Sequence, residues 1–376
     1  MPKNKKNIIK SKNKELTEWK KVPRIKKLQK IRTIRQIDDI DTLNEPHKIL
    51  DLLKCDVPLR VHEYVSRKEI LNTEKHCYEW AKKFGLIAKN TTNKEFKGSK
   101  FGLLICYIFP TTPFERRYLA IDFFNWLFFV DDLIDNNKDL KGKPEKIKIV
   151  LDKFKAILDD KPKPEDLQSP IAIALWDVWA RMKKMTTKAW QLKFRNTILL
   201  YFDACCVNAR NEHTNNIPNS VKAYIKIRRN SGAVMTSFNL IEPLLGVRIS
   251  YDNPDLQNLM DYCNDHICFT NDLYSFEKEL KEGEVDNIII VLRCLRQCSL
   301  QEAITYTVDL INKRMTQIQD IFNRLTHFSS EIDQDISKCV NALLDIVIGS
   351  FYWHKISGRY SIKKNENDGL RLSMEF

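Results

Sequence analysis

Beyond residue 45, apolar residues recur at i, i+3, i+4 and i+7, the period of a helix that buries one face. Short clusters rich in Pro, Gly, Asn or Asp interrupt the pattern at Asn90–Ser99, Pro110–Pro113, Asn136–Lys143, Asp159–Pro170, Asn211–Ser220, Ser250–Asp255 and Glu282–Asp286. Each is about as long as a helix connection in a bundle. The pattern predicts an all-α fold, without an internal repeat of fixed period and without a linker long enough to divide it. The organisation this implies is an N-terminal arm over 1–45, one helical domain over 46–365 and a short tail over 366–376.

Composition narrows the class. Ten glycines in 376 residues are too few for a Gly-rich nucleotide loop or a turn-dense β sandwich. A net charge of +13 suggests nucleic acid or an anionic surface until its position is considered. Residues 1–36 hold 14 Lys or Arg against Glu15 and Glu18, a net of +12, so the other 340 residues, with 48 basic and 47 acidic side chains, are close to neutral. The arm has too few large apolar residues to fold alone and reads as a disordered, solvated tail. Nucleic-acid contact, contact with an anionic membrane and organelle targeting are its alternatives. Ten cysteines without a Cys-x-x-Cys pair, most within apolar stretches, read as reduced, buried thiols of a cytoplasmic protein. No run of 18 apolar residues occurs, and the first 40 residues lack the apolar core of a signal peptide.

Four stretches carry chemistry. In Phe128-Phe129-Val130-Asp131-Asp132-Leu133-Ile134-Asp135, a continuing helix sets Asp131 and Asp135 one turn and about 40° apart. Three carboxylates at a helix end whose macrodipole is already negative call for a cation, and hard oxygens suit Mg²⁺ or Mn²⁺ shared with a phosphate. In Asn271-Asp272-Leu273-Tyr274-Ser275-Phe276-Glu277-Lys278-Glu279, the amide of Asn271, the hydroxyl of Ser275 and the carboxylate of Glu279 stand at i, i+4 and i+8, within about 80° of one helix face. A solvated helix end and a polar helix stripe are the plain readings of these two segments taken singly. Arg228-Arg229-Asn230-Ser231-Gly232 places arginines able to fork onto phosphate ahead of a glycine expected to weaken the helix. Trp353-His354-Lys355-Ile356-Ser357-Gly358-Arg359-Tyr360 ends in a guanidinium beside a phenol, a second phosphate-grasping pair, with His354 read as an ordinary interfacial histidine.

Together these stretches resemble the class I terpene synthases, in the single-domain form typical of microbes, in order, spacing and local sequence. An aspartate-rich motif precedes an N-D-x-x-S-x-x-K-E motif by 140 residues, Arg228 precedes Asn271 by 43, slightly less than is usual in the family, and Arg359-Tyr360 begins 88 residues beyond Asn271. Softer similarities at Trp80, Phe84-Gly85-Leu86, Phe109-Pro110 and 287–292 extend the likeness over about residues 60–362. The resemblance implies that Asp131, with Asp135 as the further candidate, bridges two Mg²⁺ and that Asn271, Ser275 and Glu279 hold a third. It implies that Arg228 senses the diphosphate, with Ser231 as linker and Gly232 as effector. Lys278, Arg359 and Tyr360 would then grip the leaving group. The prenyltransferases that share the fold carry a second Asp-rich motif where this chain has Asn271 and Ser275, and no D-x-D-D of a protonation-initiated cyclase occurs.

The activity implied is Mg²⁺-dependent ionisation of a linear prenyl diphosphate, with farnesyl diphosphate as the default substrate, followed by cyclisation of the carbocation. An apolar, aromatic wall is needed to fold and shield such a cation. Phe124 and Phe128 are its first candidates, with Phe123, Met235 and Phe238 behind them. A prenyltransferase, a non-cyclising lyase and a non-catalytic helical binder of nucleic acid or membrane are the alternatives. For the leading reading the partner is the small-molecule substrate. No nucleic acid is expected, and a homodimer is left open.

Overall fold

The computed structural model describes residues 53, 55, 57–88, 96–214, 216–282, 284–327 and 334–360, so the arm over 1–45 and the tail over 366–376 lie outside the described residues. Within them the chain forms thirteen α-helices and no strand. In order these are α1 (Val61–Tyr64), α2 (Arg67–Lys83), α3 (Phe101–Ile108), α4 (Phe114–Asn136), α5 (Pro144–Leu158), α6 (Pro170–Met185) and α7 (Lys188–Thr214). They continue as α8 (Val221–Ser231), α9 (Val234–Leu245), α10 (Pro254–Glu282), α11 (Ile288–Arg296), α12 (Leu300–His327) and α13 (Gln334–Ile356).

Local sequence starts many of these helices. Ser66 and Glu69 form a reciprocal capping box on α2, and Ser299 and Glu302 form the same arrangement before α12. Proline opens α5, α6 and α10, where its missing N–H is no loss. Ser220 and Asn287 cap α8 and α11.

Helices α4 and α10 are buried around most of their circumference, so neighbours must cover every face. Each buried Phe, Leu or Ile contributes about 1.5–3 kcal/mol. The polar side chains of α4 set its position. Asn125 exchanges hydrogen bonds with Cys77, Trp126 Nε1 donates to the Ile171 carbonyl at 3.1 Å, and the Arg117 guanidinium donates to the Pro110 and Thr112 carbonyls. Asp122, 1% exposed, takes His76 on one side and Arg181 on the other. With these pairs made, the helix has one register against α2 and α6, and its C-terminal aspartates are aimed by the core.

Helix α10 packs along α12 and α13, and α13 lies against α3 at backbone contact. A Cβ at Gly349 would stand 2.5 Å from the Tyr107 carbonyl carbon, so no larger residue fits there without parting the two helices. At the end of α13, Trp353 Nε1 donates to the Lys100 carbonyl at 2.8 Å, and just beyond it Ser357 Oγ donates to the Ser99 carbonyl at 3.0 Å. These bonds pin the short 3₁₀ turn Gly358–Tyr360 over the end of α4.

Candidate active site

Two adjoining cavities open between α4, α7, α10 and α13. The first has a volume of about 160 Å³ and is mainly apolar, with Leu104, Ile108, Phe124, Leu127, Phe128 and Trp353 in its wall. The second, about 110 Å³, is acidic, with Asp131, Asp135, Glu212, Glu279, Glu284 and Asp286 around it. Asp131, Arg228, Ser231 and Asn271 line both and form the boundary between them.

Asp131 and Asp135 share the acidic cavity, as the one-turn spacing requires. Asp132 turns instead to Arg359, whose Nη2 lies 2.8 Å from Asp132 and 3.0 Å from Asp131. This guanidinium supplies the cation that the negative helix end calls for, and it rests over the Phe128 ring at 5.2 Å. Burial opposes its charge, but Asp132 and Asp131 outweigh that and raise its pKa. Asp131 keeps 45% of its side chain exposed to the cavity, while surrounding protein raises its pKa against the opposing pull of Arg359. Asp135 is pushed well above the carboxylate range, first by desolvation and then by Asp131, Glu284 and Glu212.

On the facing helix, Asn271 and Glu279 reach the acidic cavity, two turns apart on one face. The Ser275 hydroxyl lies between them, buried, donating to the Asn271 carbonyl at 2.7 Å, and is not in either cavity wall. Glu279 accepts from Asn287 Nδ2 at 2.8 Å, yet burial and the nearby Glu284 and Asp272 push its pKa up to about 8. Burial likewise brings Asp286 to about 6, although Arg228 pulls the other way. Lys278 is half-buried, its charge bears on Asp131 and Asp135, and it lines neither cavity.

These carboxylates stand close together, and burial with neighbouring carboxylates raises Asp135, Glu279 and Asp286. The donors are all hard oxygens, the set that a divalent cation such as Mg²⁺ takes together with water and phosphate. No three His, Cys, Asp or Glu side chains already converge on a single point among the described residues. Mg²⁺ keeps several waters and is usually held by one or two carboxylates together with substrate phosphate, so these donors can fit it without a closed protein cage.

Arg228 is tied to the second motif. Its Nη2 donates to Asn271 Oδ1 at 2.7 Å and its Nε to Asp272 Oδ1 at 2.8 Å. Asp272, fully buried, also accepts from Tyr224 Oη at 2.5 Å and from the Ile288 amide at 3.2 Å. The aspartate after Asn271 thus anchors Arg228 and faces away from the cavities.

The chain breaks after Ser231, as the sequence suggests, but for a different reason. Gly232 has an ordinary right-handed φ of −72°, and the left-handed residue is Ala233 at φ 52°. Glycine is favoured at 232 because α10 passes so close that a Cβ would stand 2.5 Å from Cys268 Sγ.

Phe124 and Phe128 both line the apolar cavity, Phe128 stacked on Phe101 at 4.2 Å. Phe123, Met235 and Phe238 do not: Phe123 packs on Phe194, and Phe238 is buried in the core. His354 is more than an interfacial histidine. It lines the apolar cavity, stacks on Tyr360 at 5.0 Å and sets Nε2 3.3 Å from Asn271 Nδ2. Burial lowers its pKa to about 4.

Sequence reading also passed over the α7 wall. Tyr201, Cys205, Asn208 and Glu212 recur at i, i+4, i+7 and i+11, a polar end on an apolar stripe, and this periodicity was the available signal. Asp286, Asn287 and Glu284 follow α10 directly. Asn287 serves twice, capping α11 through Oδ1 and holding Glu279 and the Asp272 carbonyl through Nδ2.

An all-α bundle with an aspartate-bearing helix end opposite an Asn/Ser/Glu helix face, at the mouth of an aromatic cavity, defines a class I terpene synthase. The chain belongs to terpene synthase family 2: the family model for its C-terminal metal-binding region matches residues 122–317. It is 28% identical over 292 residues to a (+)-eremophilene synthase of Sorangium cellulosum, covering 77% of this chain and 87% of that one. It is also 28% identical over 288 residues to a (+)-T-muurolol synthase of Roseiflexus castenholzii, described as (2E,6E)-farnesyl diphosphate cyclizing, covering 75% and 86%. Among solved structures, a single-substitution variant of cucumene synthase superposes with a TM-score of 0.70 at 23% identity, covering 82% of this chain and all of that one. The protein is a metal-binding terpene synthase with an all-α fold, and no described helix is long and apolar enough to cross a membrane.

Proposed function

We propose that the substrate is farnesyl diphosphate, bound with its diphosphate at the boundary of the two cavities and its hydrocarbon chain in the apolar one. The observation that carries this reading is the shared wall: Asp131, Arg228, Ser231 and Asn271 belong to both an acidic and an aromatic cavity. A molecule with a highly charged head and a long apolar tail matches that division. The description of the Roseiflexus relative as a farnesyl diphosphate cyclase supports the fifteen-carbon length.

In this reading Asp131 and Asp135 hold two Mg²⁺, and Asn271, Ser275 and Glu279 hold a third. When bound, Mg²⁺ supplies Lewis-acid stabilisation of the charge that develops on the departing diphosphate. The residues of the chain do the rest. Arg228 and Arg359 now spend their donors on Asn271 and on Asp131 and Asp132, so a diphosphate exchanges those bonds for bonds to its own oxygens. Lys278 and Tyr360 add a charge and a hydroxyl on the same side. The exchange draws the 3₁₀ turn and the α8–α9 break inward, excluding water from the allylic cation. Phe124 and Phe128 face the cation with π surfaces, and the apolar wall sets the fold of the chain before cyclisation.

The catalytic unit is residues 46–365, and the free thiols at all ten cysteines support a cytoplasmic site of action. The test is product analysis by gas chromatography and mass spectrometry with ten-, fifteen- and twenty-carbon prenyl diphosphates, each with Mg²⁺ and with EDTA. Cyclic product from the fifteen-carbon substrate, lost in EDTA, is expected. Turnover of another length alone overturns the farnesyl assignment, and linear products alone overturn cyclisation.

A further inference from the structure

The side-chain amide of Asn271 has two ends of nearly equal shape and opposite chemistry. Its Oδ1 faces Arg228 Nη2 at 2.7 Å, while its Nδ2 faces Tyr360 Oη at 3.0 Å and His354 Nε2 at 3.3 Å. Turned by 180°, the amide would present N–H donors to the acidic cavity, and N–H groups do not ligate a cation. Something must hold the oxygen outward. Of the three neighbours, Arg228 is a donor only and selects the oxygen now, but in the reading above its donors pass to the diphosphate. Tyr360 Oη both donates and accepts, so it accommodates either end of the amide.

His354 does discriminate. Its Nδ1 lies 2.7 Å from the Ser350 carbonyl, which can only accept, so Nδ1 carries the hydrogen and Nε2 offers only a lone pair. A lone pair accepts from Nδ2 and repels Oδ1. The ring itself has little freedom: it is 5% exposed, tied one turn back along α13, stacked on Tyr360 and flanked by Trp353. The contact of Gly349 with Tyr107 fixes the helix that carries it.

We propose that His354 is the positioning residue that keeps the Asn271 amide oxygen turned toward the metal once Arg228 has released it. This rests on the assignment of Asn271 as a metal ligand. In this role His354 acts through Asn271.

The test uses the full chain, with Mn²⁺ uptake in the presence of inorganic diphosphate followed by electron paramagnetic resonance, and with the melting temperature of metal-free protein measured alongside. His354→Phe keeps a ring stacked on Tyr360 and removes the lone pair. It should raise the half-saturating Mn²⁺ concentration about tenfold, the scale of lost outer-shell contacts at metal sites. His354→Gln restores an acceptor on an amide that can itself turn, and should fall between the wild type and Phe. Melting temperatures of the metal-free variants should stay together. The inference is overturned if Phe takes up Mn²⁺ like the wild type, or if Gln binds no better than Phe. If wild-type protein takes up no Mn²⁺ with diphosphate, the metal-site reading itself fails and the inference with it.

Discussion

Gly232→Ala tests the account of the α8–α9 break. At φ −72° alanine meets no backbone strain, and replacing glycine in such a conformation ordinarily stabilises a fold by about 0.4–1 kcal/mol through the unfolded state. Here the new Cβ would lie 2.5 Å from Cys268 Sγ and 3.2 Å from the Arg228 carbonyl oxygen. Cys268 has little room to turn, because it is 2% exposed and its thiol donates to Asn264 Oδ1 at 3.2 Å. Overpacking of this kind costs about 1–3 kcal/mol, so after the backbone gain the variant loses roughly 0–2.5 kcal/mol. With an unfolding entropy of roughly 2 cal/mol/K per residue, each kcal/mol lowers the melting temperature of a chain this size by about 1–2 °C. Differential scanning calorimetry of a double-mutant cycle decides the cause. In a Cys268→Ala background the obstructing sulfur is gone, so adding Gly232→Ala should become neutral or mildly stabilising. If Gly232→Ala destabilises equally with and without the sulfur, close approach of α10 is not why glycine stands there.

At the metal-binding face, Asp131→Asn and Asn271→Ala should each reduce turnover at least about 100-fold while leaving the melting temperature within a few degrees, measured by product release and calorimetry; near wild-type rates in either would remove the ligand assignment. In EDTA, stability should depend on pH with a defined sign. Glu279, raised from 4.5 to about 8, binds a proton in the folded protein that the unfolded chain releases, so stability falls as pH rises from about 6.5 to 8. Below about 6.5 the histidines that burial holds at about 4 (His354) and about 3 (His266) oppose that fall, because the unfolded chain protonates them, while Asp286, raised to about 6, adds to it. Melting curves should show the fall from pH 6.5 to 8, and Glu279→Gln should flatten it; an unchanged slope in that variant would assign the effect elsewhere. Deletion of residues 1–40 should leave turnover within about twofold, because every residue lining the two cavities lies at or beyond Leu104. Loss of activity in a folded truncation would give the arm a catalytic role.

Much of this architecture was legible without coordinates. The 3.6-residue period marked the helices, and it placed Asp131 with Asp135 and Asn271 with Glu279 on common faces, because side-chain direction within a helix follows from spacing alone. Boundaries were less legible. The break at Thr186–Thr187 carries no Gly or Pro, and the left-handed Gln297 before the Ser299–Glu302 capping box was passed over although the box was readable. What the tertiary structure alone decided is which face meets which partner. Nothing in the spacing of Asp131, Asp132 and Asp135 says that the middle one turns to Arg359, 227 residues away, or that Asp272 anchors Arg228 while its neighbour Asn271 faces the cavity. Nor does the sequence say that Gly232 answers to Cys268, or that His354 bonds Asn271 across 83 residues. Periodicity is a property of a single helix and survives in one dimension. Hydrogen-bond partners and steric limits arise between helices, and they exist only once the core has set the distances between them.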